Sequence, residues 1–200
     1  MMPTKIAQWL RPVGFAVAAL VAGSAVAAEG PRYTYGEIGY ARVDFDNFSD
    51  DANVGAIGGS LAMTDNLYLV AGYSYGKIDD SGIDVELDNF DAGVGFHFPL
   101  ADRVDLFAEA AYAWAKVDVD HFGSADDDGY QLRAGVRAML TPEFELNGGG
   151  TYVDISGDSQ TAGFVGVVYN FTPMVAVTGN ITSGDDATSY GVGLRMYFDK

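Results

Sequence analysis

The sequence predicts an all-β fold: a transmembrane, up-and-down antiparallel β-barrel of ten strands, with eight as the alternative, behind a cleaved signal peptide. Three observations carry that expectation. Apolar residues recur at every second position over stretches of about ten residues, the repeat of a tilted membrane strand. Short turns and longer acidic connections alternate along the chain. The N-terminal segment has the layout of a secretory signal.

The segment 1–28 is the first element. Lys5 and Arg11 give it a positive start, Val13 to Gly23 form an uncharged apolar run, and Ala25 to Ala28 supply small residues for a signal peptidase. That divides the chain into a signal peptide, 1–28, and a barrel domain, 29–200. Loss of Lys5 and Arg11 takes the formal charge from −17 to −19. With 11 Lys and Arg against 28 Asp and Glu, the chain lacks the basic patch that nucleic-acid binding requires. A hydrophobic fraction of 48% excludes a disordered chain. The absence of cysteine excludes disulfides, thiolate metal sites and a cysteine nucleophile.

Ten strands are expected near 31–45, 52–63, 67–79, 86–98, 104–117, 129–140, 143–155, 160–171, 174–182 and 187–198. The first two are the weakest. Tyr33, Tyr35 and Glu37 share one face of strand one while Ile38 and Tyr40 share the other, which allows a bulge or inward tyrosines. Strand two is blurred by Gly55, Gly58 and Gly59, and loss of both segments would leave eight strands. The later strands alternate cleanly. Phe90 to Phe98, Val104 to Trp114, Tyr130 to Leu140 and Tyr190 to Phe198 each place apolar residues on one face. Amphipathic helices would space them by three and four.

Short turns fall at Thr64–Asn66, Pro99–Arg103, Thr141–Pro142 and Thr172–Pro173. Longer acidic loops are expected at Asp46–Asp51, Asp79–Asp84, Asp118–Asp128, Ser156–Ser159 and Ser183–Asp186. An even strand count puts both termini at the short-turn end. A soluble barrel would turn its apolar face inward and a membrane barrel outward. Glycine on the polar face (Gly93, Gly95, Gly135, Gly191, Gly193) suits a narrow interior. Aromatic residues near strand ends on the apolar face (Tyr112, Trp114, Tyr130, Phe144, Tyr152, Phe171, Phe198) suit the two lipid boundaries. Both favour the membrane barrel, as does the export signal.

The meander, the phrases MTDNLYLVAGY (63–73) and VDLFAEAAY (104–112), and the last strand together resemble the small outer-membrane β-barrel proteins of Gram-negative bacteria, the OmpA-like and OmpX-like barrel-domain families. The resemblance covers the whole mature chain and implies residence in the cell outer membrane. It also implies a signal for the barrel-assembly machinery in the final strand, where Gly193, Met196 and Phe198 match the spacing. Asp199 and Lys200 after Phe198 depart from that pattern.

Counting across the turn near Thr141 puts Arg137 level with Glu145, and counting across a loop centred near Gly123 puts Glu109 level with Arg137. A lumen cluster of Asp91, Glu109, Arg133, Arg137 and Glu145 is therefore expected, either as a network that plugs and stiffens the barrel or as an electrostatic gate. The loops hold many Asp and no Lys or Arg. They suit solvation, or loose Mg²⁺ or Ca²⁺ bridging to lipopolysaccharide, but not a dedicated metal site. In an EF-hand register Asp118, Asp120 and Gly123 fit, while Phe122 and Gly129 break it. His121 with Ser124 or Asp120 could imitate a hydrolase site, and His97 reads as a structural histidine near a short turn. Gly148 to Gly150 lie inside a strand rather than in a phosphate loop. No catalysis and no cofactor are expected. The leading reading is a structural, surface-interacting barrel with outer-membrane lipid, lipopolysaccharide and the assembly machinery as partners. A narrow passive pore is the alternative, and a loop hydrolase using His121 the third.

Overall fold

The computed structural model describes residues 30–45, 51–80, 83–119 and 123–198. The signal segment, Asp120, His121, Phe122, Asp199 and Lys200 lie outside them. Ten strands follow one another as β1 (Tyr35–Phe45), β2 (Ala52–Ala62), β3 (Leu67–Asp80), β4 (Ile83–Ala101), β5 (Val104–Val119), β6 (Gly123–Met139), β7 (Phe144–Ile155), β8 (Asp158–Asn170), β9 (Val175–Gly184) and β10 (Ala187–Tyr197). Each pairs antiparallel with its neighbours, and β1 pairs with β10 to close the barrel. Closure leaves no strand edge unpaired, which backbone inside a lipid bilayer requires.

The two blurred strands pair regularly. β1 matches β2 from Tyr35 opposite Ser60 to Val43 opposite Ala52, without a bulge. Tyr33, Tyr35 and Glu37 point inward and are buried, whereas Ile38 and Tyr40 face out. The one register shift lies in β4 between Pro99 and Ala101, because proline has no N–H to donate to the ladder.

Ile38, Ile57, Val94, Phe96, Leu132, Val165, Val192 and Leu194 form part of a continuous exposed apolar belt. Tyr40, Tyr73, Tyr75, Tyr112, Tyr130 and Tyr190 ring it towards one mouth, and Phe98, Tyr169, Phe171 and Phe198 towards the other. Aromatic rings in two girdles around an apolar band are what the two bilayer interfaces select. No helix among the described residues is long and apolar enough to cross a membrane.

The short turns share a device. Thr64 Oγ1 accepts from Leu67 N (3.0 Å), Thr141 Oγ1 from Phe144 N (3.1 Å) and Thr172 Oγ1 from Val175 N (3.0 Å). A threonine hydroxyl thus closes three of the four turns at that end.

Several connections expected to be long are instead tight. Residues 123–128 belong to β6, and Ser156 and Gly157 alone join β7 to β8 with positive φ of 54° and 85°. Two positive φ values give the primed turn that matches strand twist. The last hairpin turns on Asp185 and Asp186. Much of the expected acidic loop is therefore strand. Beyond the tyrosine girdle, Tyr112–Val119 adds roughly 23 Å along β5, whereas Tyr152–Ile155 adds roughly 10 Å along β7. One wall, β3 to β6, stands taller than the other.

Candidate functional site

The interior divides by height. Towards the short-turn end it holds three units, each an arginine, a glutamate and an aromatic ring. Arg137 Nε and Nη2 donate to the two carboxylate oxygens of Glu145 at 3.0 and 3.1 Å, a bidentate pair. Its guanidinium lies 4.3 Å from the centre of the Tyr33 ring, and Nη2 also donates to the Arg32 carbonyl at 3.2 Å. Arg133 Nη1 donates to Glu109 Oε2 at 3.4 Å, and its guanidinium lies 4.1 Å from the Phe164 ring centre. Arg195 Nε donates to Glu37 Oε2 at 2.7 Å and stacks 4.0 Å over Tyr35. Thr178 Oγ1 donates to the other Glu37 oxygen at 2.8 Å. Buried charge is tolerable only when paired and hydrogen-bonded, and each of these carboxylates is.

Tyrosines and a histidine link the units. Tyr68 Oη donates to Glu109 Oε1 at 2.9 Å. Tyr33 Oη donates to Asp105 Oδ2 at 3.0 Å, and His97 Nδ1 stands 3.0 Å from the same oxygen. The His97 and Tyr33 rings stack with centres 4.0 Å apart. His97 therefore sits in the wall of the network, facing inward near its turn.

Towards the other mouth the lining turns apolar. Ala41, Val43 and Phe45 of β1, Ala52 and Val54 of β2, Ile78, Val85, Leu87, Val117, Val119 and Ala187 form one buried cluster. Strands β10 and β1 to β5, neighbours in the closed barrel, all contribute, so the cluster lines one side of the mouth.

The expected cluster is partly rearranged. Arg137 and Glu145 meet, but diagonally: Arg137 is opposite Asn147, and Glu145 is opposite Met139. Long side chains bridge that two-residue offset. Glu109 stands opposite Arg133 and pairs with it, not with Arg137, because β5 runs to Val119 and β6 begins at Gly123. Val119 therefore stands opposite Gly123, a register four residues short of the one expected. Asp91 makes no hydrogen bond or ion pair among the described residues. It lies half-buried on β4 in the field of Glu109 and Arg133, beside Gly72, where a Cβ would stand 2.8 Å from its Oδ1.

Sequence reasoning missed the Glu37–Arg195 pair. Both residues lie on polar faces, and Glu37 is opposite Arg195 across the closure of β1 on β10. That seam has no turn to count across. The signal was the shared end of the two termini, which makes the first and last strands neighbours.

Ser124 lies in β6 and its expected partners His121 and Asp120 lie outside the described residues. No group of three or more metal-ligating residues is found among the described residues. Gly193, Met196 and Phe198 sit at the end of the last strand, with Met196 and Phe198 facing outward.

The sequence model of the outer membrane protein beta-barrel domain matches residues 13–171. The NanC porin is similar in structure with a TM-score of 0.55 at 10% identity, over 82% of this chain and 100% of that one. The N-terminal β-barrel domain of Pseudomonas aeruginosa OprF gives 0.40 at 19% identity, over 82% and 98%. Ail of Yersinia pestis gives 0.46 at 12%, over 82% and 97%. Comparison with curated proteins by sequence finds no match.

Proposed function

The chain belongs to the outer membrane protein beta-barrel domain family, and from that premise we propose that it acts as a closed outer-membrane barrel with a structural and surface-interacting role. One observation carries the reading. Arg195 and Glu145 are 0% exposed and Arg133 and Arg137 3%, although they line the lumen. Water-sized contact does not reach them, so the level they occupy is filled. The apolar cluster along one side of the other mouth offers an ion no charge there, which supports the same reading.

The taller wall supports the surface role. Glu86, Asp88, Asp118, Asp126 and Asp128 lie on the outer side of β4, β5 and β6 beyond the tyrosine girdle. Divalent cations bridging these carboxylates to lipopolysaccharide fit this acidic rim, which is built of strand more than of loop. Recognition of Gly193, Met196 and Phe198 by the barrel-assembly machinery is part of the same reading.

Single-channel recording in a planar bilayer tests it. The refolded, heat-modifiable barrel is expected to give no discrete steps. Reproducible steps whose size changes with Arg137→Ala would overturn the closed barrel and establish the narrow pore.

A further inference from the structure

Rows of outward residues run across β1, β2 and β3, set by the strand register. The row nearest the outer rim is Arg42, Asn53 and Lys77. Below it come Tyr40, Gly55 and Tyr75, then Ile38, Ile57 and Tyr73, then Gly36, Gly59 and Ala71. Two hollows follow these rows. The upper, of about 520 Å³, is lined by Tyr40, Asn53, Gly55, Tyr73, Tyr75 and Lys77. The lower, of about 810 Å³, is lined by Gly59, Leu61, Leu69, Ala71, Phe90 and Phe198 among others. Both include Ile57 and Tyr73, so they form one groove on the outside of the barrel.

We propose that this groove binds a phosphorylated, acylated lipid of the outer leaflet, with its phosphate at Arg42 and Lys77 and an acyl chain against the small-residue row below. The inference rests on the reading of the chain as an outer-membrane barrel.

Depth is the first argument. From Arg42 down to Gly36 is roughly 20 Å along the strand, or roughly 15 Å in height at a tilt of about 40°. That is about half of a hydrocarbon core of roughly 30 Å, the depth of one leaflet. Charge is the second. In a chain of formal charge −17, cations are scarce, and among the described residues Arg133, Arg137 and Arg195 are turned into the lumen. Arg42 and Lys77 instead face out together, at headgroup height above the hollow.

Gly55 is the third. No atom lies within 4 Å of where its Cβ would stand, and its φ is not positive, so neither packing nor backbone requires glycine there. Its effect is a slot between the exposed rings of Tyr40 and Tyr75. Gly59, by contrast, is enforced by the Tyr35 carbonyl, 2.7 Å from its notional Cβ.

The cations already have carboxylate partners. Arg42 donates to Asp51 and lies 3.6 Å from Asp44, and Lys77 Nζ lies 2.5 Å from Glu86. Tyr40 Oη donates to Asn53, and Tyr73 Oη to Asp88 at 2.5 Å. Those ion pairs are solvent-exposed, and exposed pairs contribute little, so a phosphate can exchange into them. Arginine takes it as a fork and lysine as a point charge.

The test is native mass spectrometry of the refolded chain released from vesicles doped with diphosphoryl lipid A, phosphate-free lipid A or phosphatidylglycerol. One diphosphoryl lipid A is expected to be retained, at least tenfold over the phosphate-free form. Gly55→Phe, whose Cβ meets no atom within 4 Å, fills the slot and is expected to lower retention tenfold, as is Arg42→Gln with Lys77→Gln. Gly163→Phe, on the outer face of β8, is expected to leave it unchanged. Equal retention by Gly55→Phe and Gly163→Phe overturns the site. So does indifference to the phosphate, and so does loss of retention on chelation of divalent cations with none on removal of Arg42 and Lys77. A barrel that inserts into vesicles but holds no lipid A overturns the site alone. A chain that never inserts overturns the outer-membrane reading with it.

Discussion

Towards the outer rim, one side of the lumen is lined by Val43, Val85, Leu87, Val117 and their neighbours, with no charge among them. Towards the short turns, the same cylinder is filled by Arg133, Arg137 and Arg195 with Glu109, Glu145 and Glu37. The tolerances of the two halves differ accordingly. An apolar cluster is specified by volume, and substitutes of similar size are accepted. A buried ionic network is specified by partners, and what matters is whether each charge retains one. The comparison predicts that shape-conserving changes are cheap above and charge-conserving changes costly below.

The largest effect is expected at Arg195. Arg195→Ala leaves the Glu37 carboxylate buried without its guanidinium, with a cost of about 3–5 kcal/mol. Denaturant unfolding in vesicles, followed through Trp114 fluorescence, reads it. Arg195→Lys keeps the charge but loses the fork and the flat stack on Tyr35, and most of the loss is expected to persist. The double change Arg195→Met with Glu37→Leu is expected to recover most of the stability, since apolar replacement of a whole buried pair is often neutral. If Arg195→Met alone, which keeps the volume and removes the charge, is harmless, the lower half is space-filling and the comparison fails.

The matching change above is at Leu87, 3% exposed within the apolar cluster. Leu87→Ala is expected to cost about 2–3 kcal/mol, at the low end for a buried leucine because a mouth can relax more than a closed core. Leu87→Met is expected to cost less than about 1.5 kcal/mol. The same unfolding assay measures both. A large loss for Leu87→Met would show that the upper half also depends on specific geometry.

How far each half could be read in advance follows from the same chemistry. Period-two patterning made the strands legible, from Val104 to Trp114 as clearly as from Tyr190 to Phe198. It also marked Arg137 and Glu145 as inward, and their long side chains absorbed a two-residue error in register. Glu109 did not enjoy that tolerance: counting across a loop centred near Gly123 shifted its partner by four, from Arg133 to Arg137. The closure pair Glu37–Arg195 has no turn to locate it, and the inward tyrosines of β1 disguised the strand that carries it. The apolar cluster was illegible for a different reason. Val43, Val85 and Val117 lie on the inward face, where a polar lining was expected, and only closure shows that they meet.

The smallest effect separates stacking from pairing within the lower half. Arg133 lies over both Phe164 and Phe107, 4.1 and 5.4 Å from their ring centres, while Glu109 approaches it from another strand. Phe164→Leu keeps an apolar side chain and the Glu109 pair but removes the nearer ring. A cation–π contact of this kind contributes about 0.5–2 kcal/mol, and a loss near the middle of that range is expected. Combining it with Arg133→Met in a double-mutant cycle isolates the ring's contribution, because after Arg133→Met the Phe164 ring has no cation to meet. A coupling of about 1 kcal/mol that survives high salt would assign it to the desolvated ring. No coupling would mean that the aromatic partners of the three arginines serve only to fill space, as Val43 and Leu87 do at the other end.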